Sequence, residues 1–156
     1  MTKAIFWMLL MLTGLFCRLN AQKLEPVKWS FSSDKISETE YVLFFDAQIE
    51  SGWHVNASVQ QTADDAALIA PQIVFNPTEA VTHSNFTNEI GEMEVVPQSI
   101  GNKTVNVYAN RVTYNAIVIK KSRTQVAEIS GYVSFIACDA NRCLSPQKVP
   151  FEFNLN

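Results

Sequence analysis

Residues 131–155 read GYVSFIACDANRCLSPQKVPFEFNL, in which two runs of alternating apolar and polar residues flank a close pair of cysteines. Apolar side chains at every second position lie on one side of a β-strand, so each run predicts a half-buried strand. Between Cys138 and Cys143 the chain reads DANR, whose Asp and Asn favour a turn. The stretch therefore predicts two antiparallel strands joined by a tight connection that carries both cysteines.

The same alternation recurs along most of the chain. Polar, Pro or Gly residues separate the predicted strands, which are 27–32, 41–49, 53–55, 72–75, 104–108, 112–120, 126–138 and 148–155. Only ADDAALIA at 63–70 looks helical, with Asp64 or Asp65 as its cap and Pro71 as its stop. Seven or more short strands predict an all-β domain in which two antiparallel sheets pack face to face as a β-sandwich.

The start of the chain has the layout of a secretory signal peptide. Lys3 precedes an apolar run of about 13 residues, and Ala21 is the small residue before the expected cleavage site. The run is shorter than the ~20 residues that a membrane-spanning helix needs, and no later segment is apolar for long enough. We therefore expect a signal peptide at 1–21 and a single soluble, exported domain at 22–156.

Charge and composition exclude several classes of function. Cleavage would remove Lys3 and Arg18 but none of the 15 acidic residues, which changes the net charge from −3 to about −5. Nucleic-acid binding needs clustered Lys and Arg, so this balance disfavours it. The 5 glycines form no phosphate-binding loop, and there is no nucleophile elbow or His/carboxylate motif. No cofactor is predicted, and any chemistry belongs to sulfur.

The residues alone allow three interpretations of the cysteine pair. Cys17 leaves with the signal peptide, and an oxidising compartment favours a bridge between the remaining two cysteines. Such a bridge either pins a hairpin or exchanges with partner thiols, and both readings stay open. Metal binding is the weakest reading, because a zinc site takes four ligands and His54 and His83 are far from the cysteines in sequence. Copper held by His54, Met93 and a cysteine is unsupported, so no metal site is predicted.

Charges within the DANR connection make the two sulfur atoms unequal. Arg142 precedes Cys143 and favours a thiolate there, whereas Asp139 follows Cys138 and opposes one. If the pair is redox-active, these two charged residues tune the thiolates and Cys143 is the better nucleophile.

Residues 131–155 resemble the C-terminal part of the amino-terminal domain of the thiol:disulfide interchange protein DsbD family. The shared features are an aromatic strand, a close cysteine pair, a Leu-x-Pro segment and a final strand with Val-Pro-Phe. Three further segments are similar to parts of that domain: SGWHVNA at 51–57, PQIVF at 71–75 and NRVTYNAIVI at 110–119. Together the matches cover most of 29–155.

This resemblance implies an immunoglobulin-like sandwich that acts as a periplasmic electron carrier, a component of a protein-disulfide reductase. It implies protein partners that are thioredoxin-like or membrane-embedded, from which reducing equivalents pass to oxidised periplasmic thiol proteins. It further implies that Cys143 forms the mixed disulfide with a partner and that Cys138 resolves it. Both steps are attacks by a thiolate on a disulfide.

The resemblance also implies a cap loop over the cysteines. In the family this loop carries acidic and aromatic residues, and the corresponding segment here is EVVPQSI at 94–100, with neither an Asp nor an aromatic residue. The candidate cap residues are Val96, Pro97 and Ile100, which would cover the sulfur atoms with aliphatic groups.

Overall fold

The computed structural model describes residues 24–60, 70–84, 88–97 and 104–156. These ranges contain strands and no helix, and therefore no helix long and apolar enough to cross a membrane. The strands are β1 Val27–Lys35, β2 Glu40–Ile49, β3 Val55–Asn56, β4 Gln72–Phe75, β5 Val81–His83, β6 Asn88–Pro97, β7 Thr104–Lys120, β8 Ala127–Phe135 and β9 Gln147–Leu155. The helix predicted at 63–70 lies outside the described residues, apart from Ala70 at its end.

The strands form two antiparallel sheets. The larger sheet is built around β7, which pairs with β2, β3, β5 and β6, while β1 adds to the other edge of β2. The smaller sheet has the order β4-β8-β9. The prediction of an all-β protein made of antiparallel sheets is confirmed.

The core lies between the two sheets. Phe45 of β2 in the larger sheet contacts Phe151 and Phe153 of β9 in the smaller one, with ring centroids 4.9 Å and 5.6 Å apart. The alternation predicted from the sequence accounts for this packing: every second residue of β2 from Tyr41 to Ile49 is buried. Burying such aromatic and aliphatic side chains contributes roughly 1.5–3 kcal/mol each.

Glycine allows the closest approach within the smaller sheet. Gly131 of β8 is buried between Phe75 of β4 and Phe151 of β9. A Cβ atom at this position would lie 2.6 Å from the Phe151 ring and would also collide with the carbonyl oxygen of Val74. The packing of β8 against its neighbours therefore requires a residue without a side chain.

Three strand predictions need correction. Residues 104–108 and 112–120 were expected as two strands, but β7 runs unbroken from Thr104 to Lys120. Its pairing with β6 shifts register between Gly91 and Met93, where three residues of β7 lie opposite one of β6. Strands β5 and β6 were not predicted. The strand expected at 126–138 ends at Phe135, so the cysteines lie beyond the regular ladder of β8 and β9.

Candidate functional site

The two cysteines form a disulfide across a narrow antiparallel bridge between β8 and β9. Their Cα atoms are 4.0 Å apart. On either side of the pair, Leu144 N–H donates to Ala137 O at 2.9 Å and Asp139 N–H donates to Arg142 O at 2.8 Å. The cysteines thus occupy a non-hydrogen-bonded position, where opposed residues approach most closely. The separation is shorter than the ~5.5–6 Å that is usual for disulfides.

The two sulfur-bearing residues differ sharply in exposure. Cys138 is only 4% exposed, whereas Cys143 lies on the surface. A partner molecule can therefore reach Cys143, while Cys138 is shielded behind it. The predicted order of events, in which Cys143 meets the partner and Cys138 resolves, is compatible with this arrangement.

The turn between the cysteines is held by Asp139. Its Oδ1 accepts N–H groups from Asn141 at 2.7 Å and Arg142 at 2.8 Å, and Oδ2 lies 3.5 Å from Arg142 Nε. The hydrogen bond from the Asn141 backbone, with those from Arg142, lowers the pKa of the Asp139 carboxyl. The positive charge of Arg142 is thus shared with Asp139, and the thiolate-tuning roles of the two residues stay predictions.

The pairing of His54 with Cys138 was not predicted from the sequence. Its N–H donates to Cys138 O at 2.8 Å, and Cys138 N–H donates back to His54 O at 2.9 Å. Burial lowers the pKa of the His54 imidazole, against the opposing charges of Asp139 and Glu94, which raise it. The sequence analysis considered His54 only as a candidate metal ligand and as part of the SGWHVNA match at 51–57, and nothing in its spacing indicates contact with a distant cysteine.

The candidate cap residues are described in part. Val96 and Pro97 belong to β6, where they pair with Val105 and Thr104 of β7; Val96 is half-buried and Pro97 is exposed. Ile100 lies outside the described residues. The first part of the candidate cap is therefore a strand rather than a loop, and covering of the sulfur atoms by these residues stays a prediction.

Metal ligands do not gather within the described ranges. No group of three or more His, Cys, Asp or Glu side chains in these parts of the chain could hold an ion. His83, the second candidate histidine, stacks on Phe75 with ring centroids 4.4 Å apart and is exposed on β5.

Solved structures with similar folds support this description. The N-terminal periplasmic domain of ScsB from Proteus mirabilis matches 88% of the chain with a TM-score of 0.58 and 15% sequence identity. The Neisseria meningitidis DsbD N-terminal domain, in its reduced form, matches 90% of the chain with a TM-score of 0.51 and 8% identity. The chain has the fold of a DsbD amino-terminal domain.

The DsbD-type fold is immunoglobulin-like, so the fold class predicted from the resemblance is confirmed. The match extends over the whole of the Neisseria DsbD domain but over 49% of the ScsB chain, so this protein spans about half the length of the latter. Neither the protein-family models nor the curated proteins give a match to the sequence. At these identities the comparisons establish the fold alone.

Proposed function

We propose that this domain carries out thiol–disulfide exchange with protein partners through reversible oxidation of Cys138 and Cys143. The observation that supports the proposal most strongly is the exposed Cys143 bonded to a buried Cys138. A bridge that served only to fasten a turn has no need of this asymmetry. Exchange requires it, because one sulfur atom must meet the partner and the other must stay close by without reacting with it.

The exchange proceeds in two displacements. A partner thiolate attacks Cys143 Sγ, the bond to Cys138 breaks, and Cys138 leaves as a thiolate that takes up a proton. A second partner thiolate then attacks the partner sulfur of the mixed disulfide and releases Cys143 as a thiolate. The pair gains two electrons, and the partner gains a disulfide. The same steps in reverse pass the electrons to an oxidised protein.

The proposal extends to the place and the partners of this chemistry. An exported domain meets oxidised proteins in the bacterial periplasm, where a reduced cysteine pair needs a donor to remain reduced. We infer a periplasmic location after removal of residues 1–21, and a thioredoxin-like or membrane-embedded thiol protein as the partner. One of the similar structures is the N-terminal periplasmic domain of ScsB, which supports this inference.

One observation, the short span of the disulfide, weighs against a second candidate function. The cysteines are 5 residues apart, and closing a loop of about six residues stabilises a fold by roughly 2 kcal/mol, against nearly 5 for a hundred residues. The alternative is a non-catalytic immunoglobulin-like binding module in which this bridge pins the hairpin. Because this stabilisation is small, it argues against a purely structural role for the bridge.

Trapping of a mixed disulfide tests the proposed function. Cys138→Ser leaves Cys143 able to attack a partner disulfide, with no cysteine to resolve the product. We expect this variant to form a covalent complex with oxidised thioredoxin and with proteins of a periplasmic extract, visible on non-reducing gels and released by dithiothreitol. Cys143→Ser, with only the buried cysteine, is the matched control and forms no complex. Equal absence of complexes from both folded variants rules out exchange.

A further inference from the structure

Three side chains lie next to one another where the segment before β3 pairs with the cysteine hairpin. They are those of His54, Cys138 and Cys143. His54 and Cys138 exchange both backbone hydrogen bonds, and Cys138 is in turn opposed to Cys143. Residues directly opposed in antiparallel strands direct their side chains to the same face, with Cβ atoms ~4.5–5.5 Å apart. Cys138 therefore lies between the imidazole on one side and its disulfide partner on the other.

The position of Cys138 creates a problem of proton transfer. In either direction of exchange Cys138 must become a thiolate, as the leaving group during reduction and as the attacking group during oxidation. Burial opposes the charged form of a thiol. Because Cys138 is 4% exposed, water has little direct access to its sulfur atom. A half-buried neighbour that exchanges protons with solvent would relieve this difficulty, and His54 is half-buried.

We propose that His54 carries the proton of the Cys138 thiol, accepting it when Cys138 attacks and returning it when Cys138 leaves. This role rests on the proposed exchange function and assigns a third residue to it. During oxidation the neutral imidazole takes the thiol proton as Cys138 Sγ attacks Cys143 Sγ of the mixed disulfide, and the partner leaves as a thiolate. During reduction the imidazolium gives its proton to the departing Cys138 thiolate. Solvent then restores the original state of the ring.

The charged groups around His54 fit a base that works near neutral pH. Asp139 from the hairpin and Glu94 from β6 both act on the ring, and their negative charges stabilise the imidazolium that forms on proton uptake. Burial outweighs them and holds the pKa of His54 below its ordinary value. The ring is therefore mostly neutral at pH 7 and ready to accept a proton.

The remaining ionisable groups nearby do not take over this task. Arg142 is engaged with Asp139. Tyr108 of β7 lies one residue along the ladder, opposite Val55, and donates to Glu89 at 3.3 Å. Burial and the charge of Glu89 raise the pKa of the Tyr108 hydroxyl, so it stays protonated at neutral pH. An imidazole is the side chain that ordinarily exchanges protons near neutral pH, so His54 is the neighbour suited to this task.

A two-step oxidation separates this role from the reaction of Cys143. The reduced domain is mixed with excess dithiobis(nitrobenzoate), which releases one coloured thiolate when Cys143 attacks and a second when Cys138 resolves the mixed disulfide. The first phase depends on reagent concentration and the second does not. We expect His54→Gln to leave the first phase unchanged and to slow the second at least about a hundredfold at pH 7, the lower end of the usual range for general acid–base catalysis.

The pH dependence of the second phase distinguishes proton transfer from a structural effect. In the unsubstituted protein the rate should stop rising once the pH exceeds the pKa of His54, which lies below the ordinary value of about 6.5. In His54→Gln the rate should instead rise about tenfold per pH unit up to the pKa of the thiol. His83→Gln, at an exposed histidine on β5, is the matched control and should behave like the parent. If His54→Gln does not fold, the parent profile still decides: a rate that climbs without levelling between pH 5 and 8 overturns the proposal.

The outcomes separate this inference from the exchange function. A parent protein that releases no second thiolate has failed as an exchange domain, whatever His54 does. A parent protein that releases both, with an unchanged second phase in His54→Gln, retains the exchange function and refutes the role of His54.

Discussion

Cys138 and Cys143 are bonded to each other across a narrow β-bridge, yet Cys138 is 4% exposed and Cys143 lies on the surface. The difference in exposure arises from the backbone pairing of each residue. Cys138 is paired on both sides, with Cys143 and with His54, whereas the pairing described for Cys143 is with Cys138 on one side. Cys143 is thereby accessible from solvent, and Cys138 is shielded from it.

This asymmetry predicts unequal alkylation of the reduced protein. Iodoacetamide should modify Cys143 at least about tenfold faster than Cys138, because a thiol reacts as an accessible thiolate. Peptide mass spectrometry after brief labelling gives the two rates. In urea the rates should converge, which serves as the control. Faster modification of Cys138 in the folded protein would reverse the assigned roles.

The carboxylate of Glu94 should keep the pKa of His54 higher than burial alone would make it. Because this negative charge opposes the effect of burial, Glu94→Gln should lower the pKa of His54 further from its ordinary value. An NMR titration of the imidazole measures the shift. Glu92→Gln changes an exposed carboxylate on the same strand that does not act on the ring, and should leave the titration in place. A rise in the pKa of His54 on removal of Glu94 would contradict the electrostatic description of the site.

Asp46 should stabilise the β2–β7 pair in a pH-dependent way. It accepts hydrogen bonds from Thr113 Oγ1 at 2.6 Å and Arg111 Nη2 at 2.8 Å. Burial by itself would raise the pKa of Asp46, but these two partners outweigh it and lower the pKa. A carboxyl with a lowered folded pKa stabilises the protein above its unfolded value, and the stabilisation is lost as pH falls through the folded value.

We therefore expect Asp46→Asn to reduce the free energy of unfolding at pH 7 by about 1 kcal/mol. The Asn oxygen can still accept the hydrogen bonds, but it no longer carries a negative charge. The difference from the parent should shrink as the pH falls below about 4. Urea denaturation at several pH values tests this, with Asp34→Asn on the exposed part of β1 as control. A difference that grows in acid would show that Asp46 acts in some other way.

The smaller sheet should not tolerate a side chain at Gly131. The added Cβ of Gly131→Ala would meet backbone of β4 and the Phe151 ring of β9 at once, so one of these strands must move. Overpacking of this kind costs about 1–3 kcal/mol. Thermal unfolding should show a clear loss for Gly131→Ala and little change for Glu128→Ala, an exposed position on the same strand. Equal melting temperatures would show that β4 packs less closely than described.

The sequence predicted those parts of the fold in which the pattern is local. Alternation along 41–49 and 148–155 gave strands that the structure confirms within one residue, because burial of every second side chain defines them. The turn residues between Cys138 and Cys143 likewise predicted the connection. Local pattern and tertiary packing agree in these segments.

Strand β6 was not predicted because its side chains do not alternate between buried and exposed positions. Its sequence, NEIGEMEVVP, is mostly exposed, and it is held by backbone pairing with β7. The contact between His54 and Cys138 escaped for a related reason. It depends on which strands become neighbours in space, and neither segment carries a signal for the other. The cysteine pair was thus found from sequence, whereas its histidine neighbour required the three-dimensional arrangement.

Equilibration of the purified protein with glutathione mixtures tests the central claim most directly. The fraction of Cys138–Cys143 disulfide is measured at each potential by trapping free thiols with a maleimide reagent and weighing the products by mass spectrometry. Exchange with physiological partners predicts a midpoint within about −180 to −260 mV, where glutathione-buffered compartments lie. A bridge that stays closed until the potential falls below about −300 mV would behave as a structural disulfide and would contradict the exchange function.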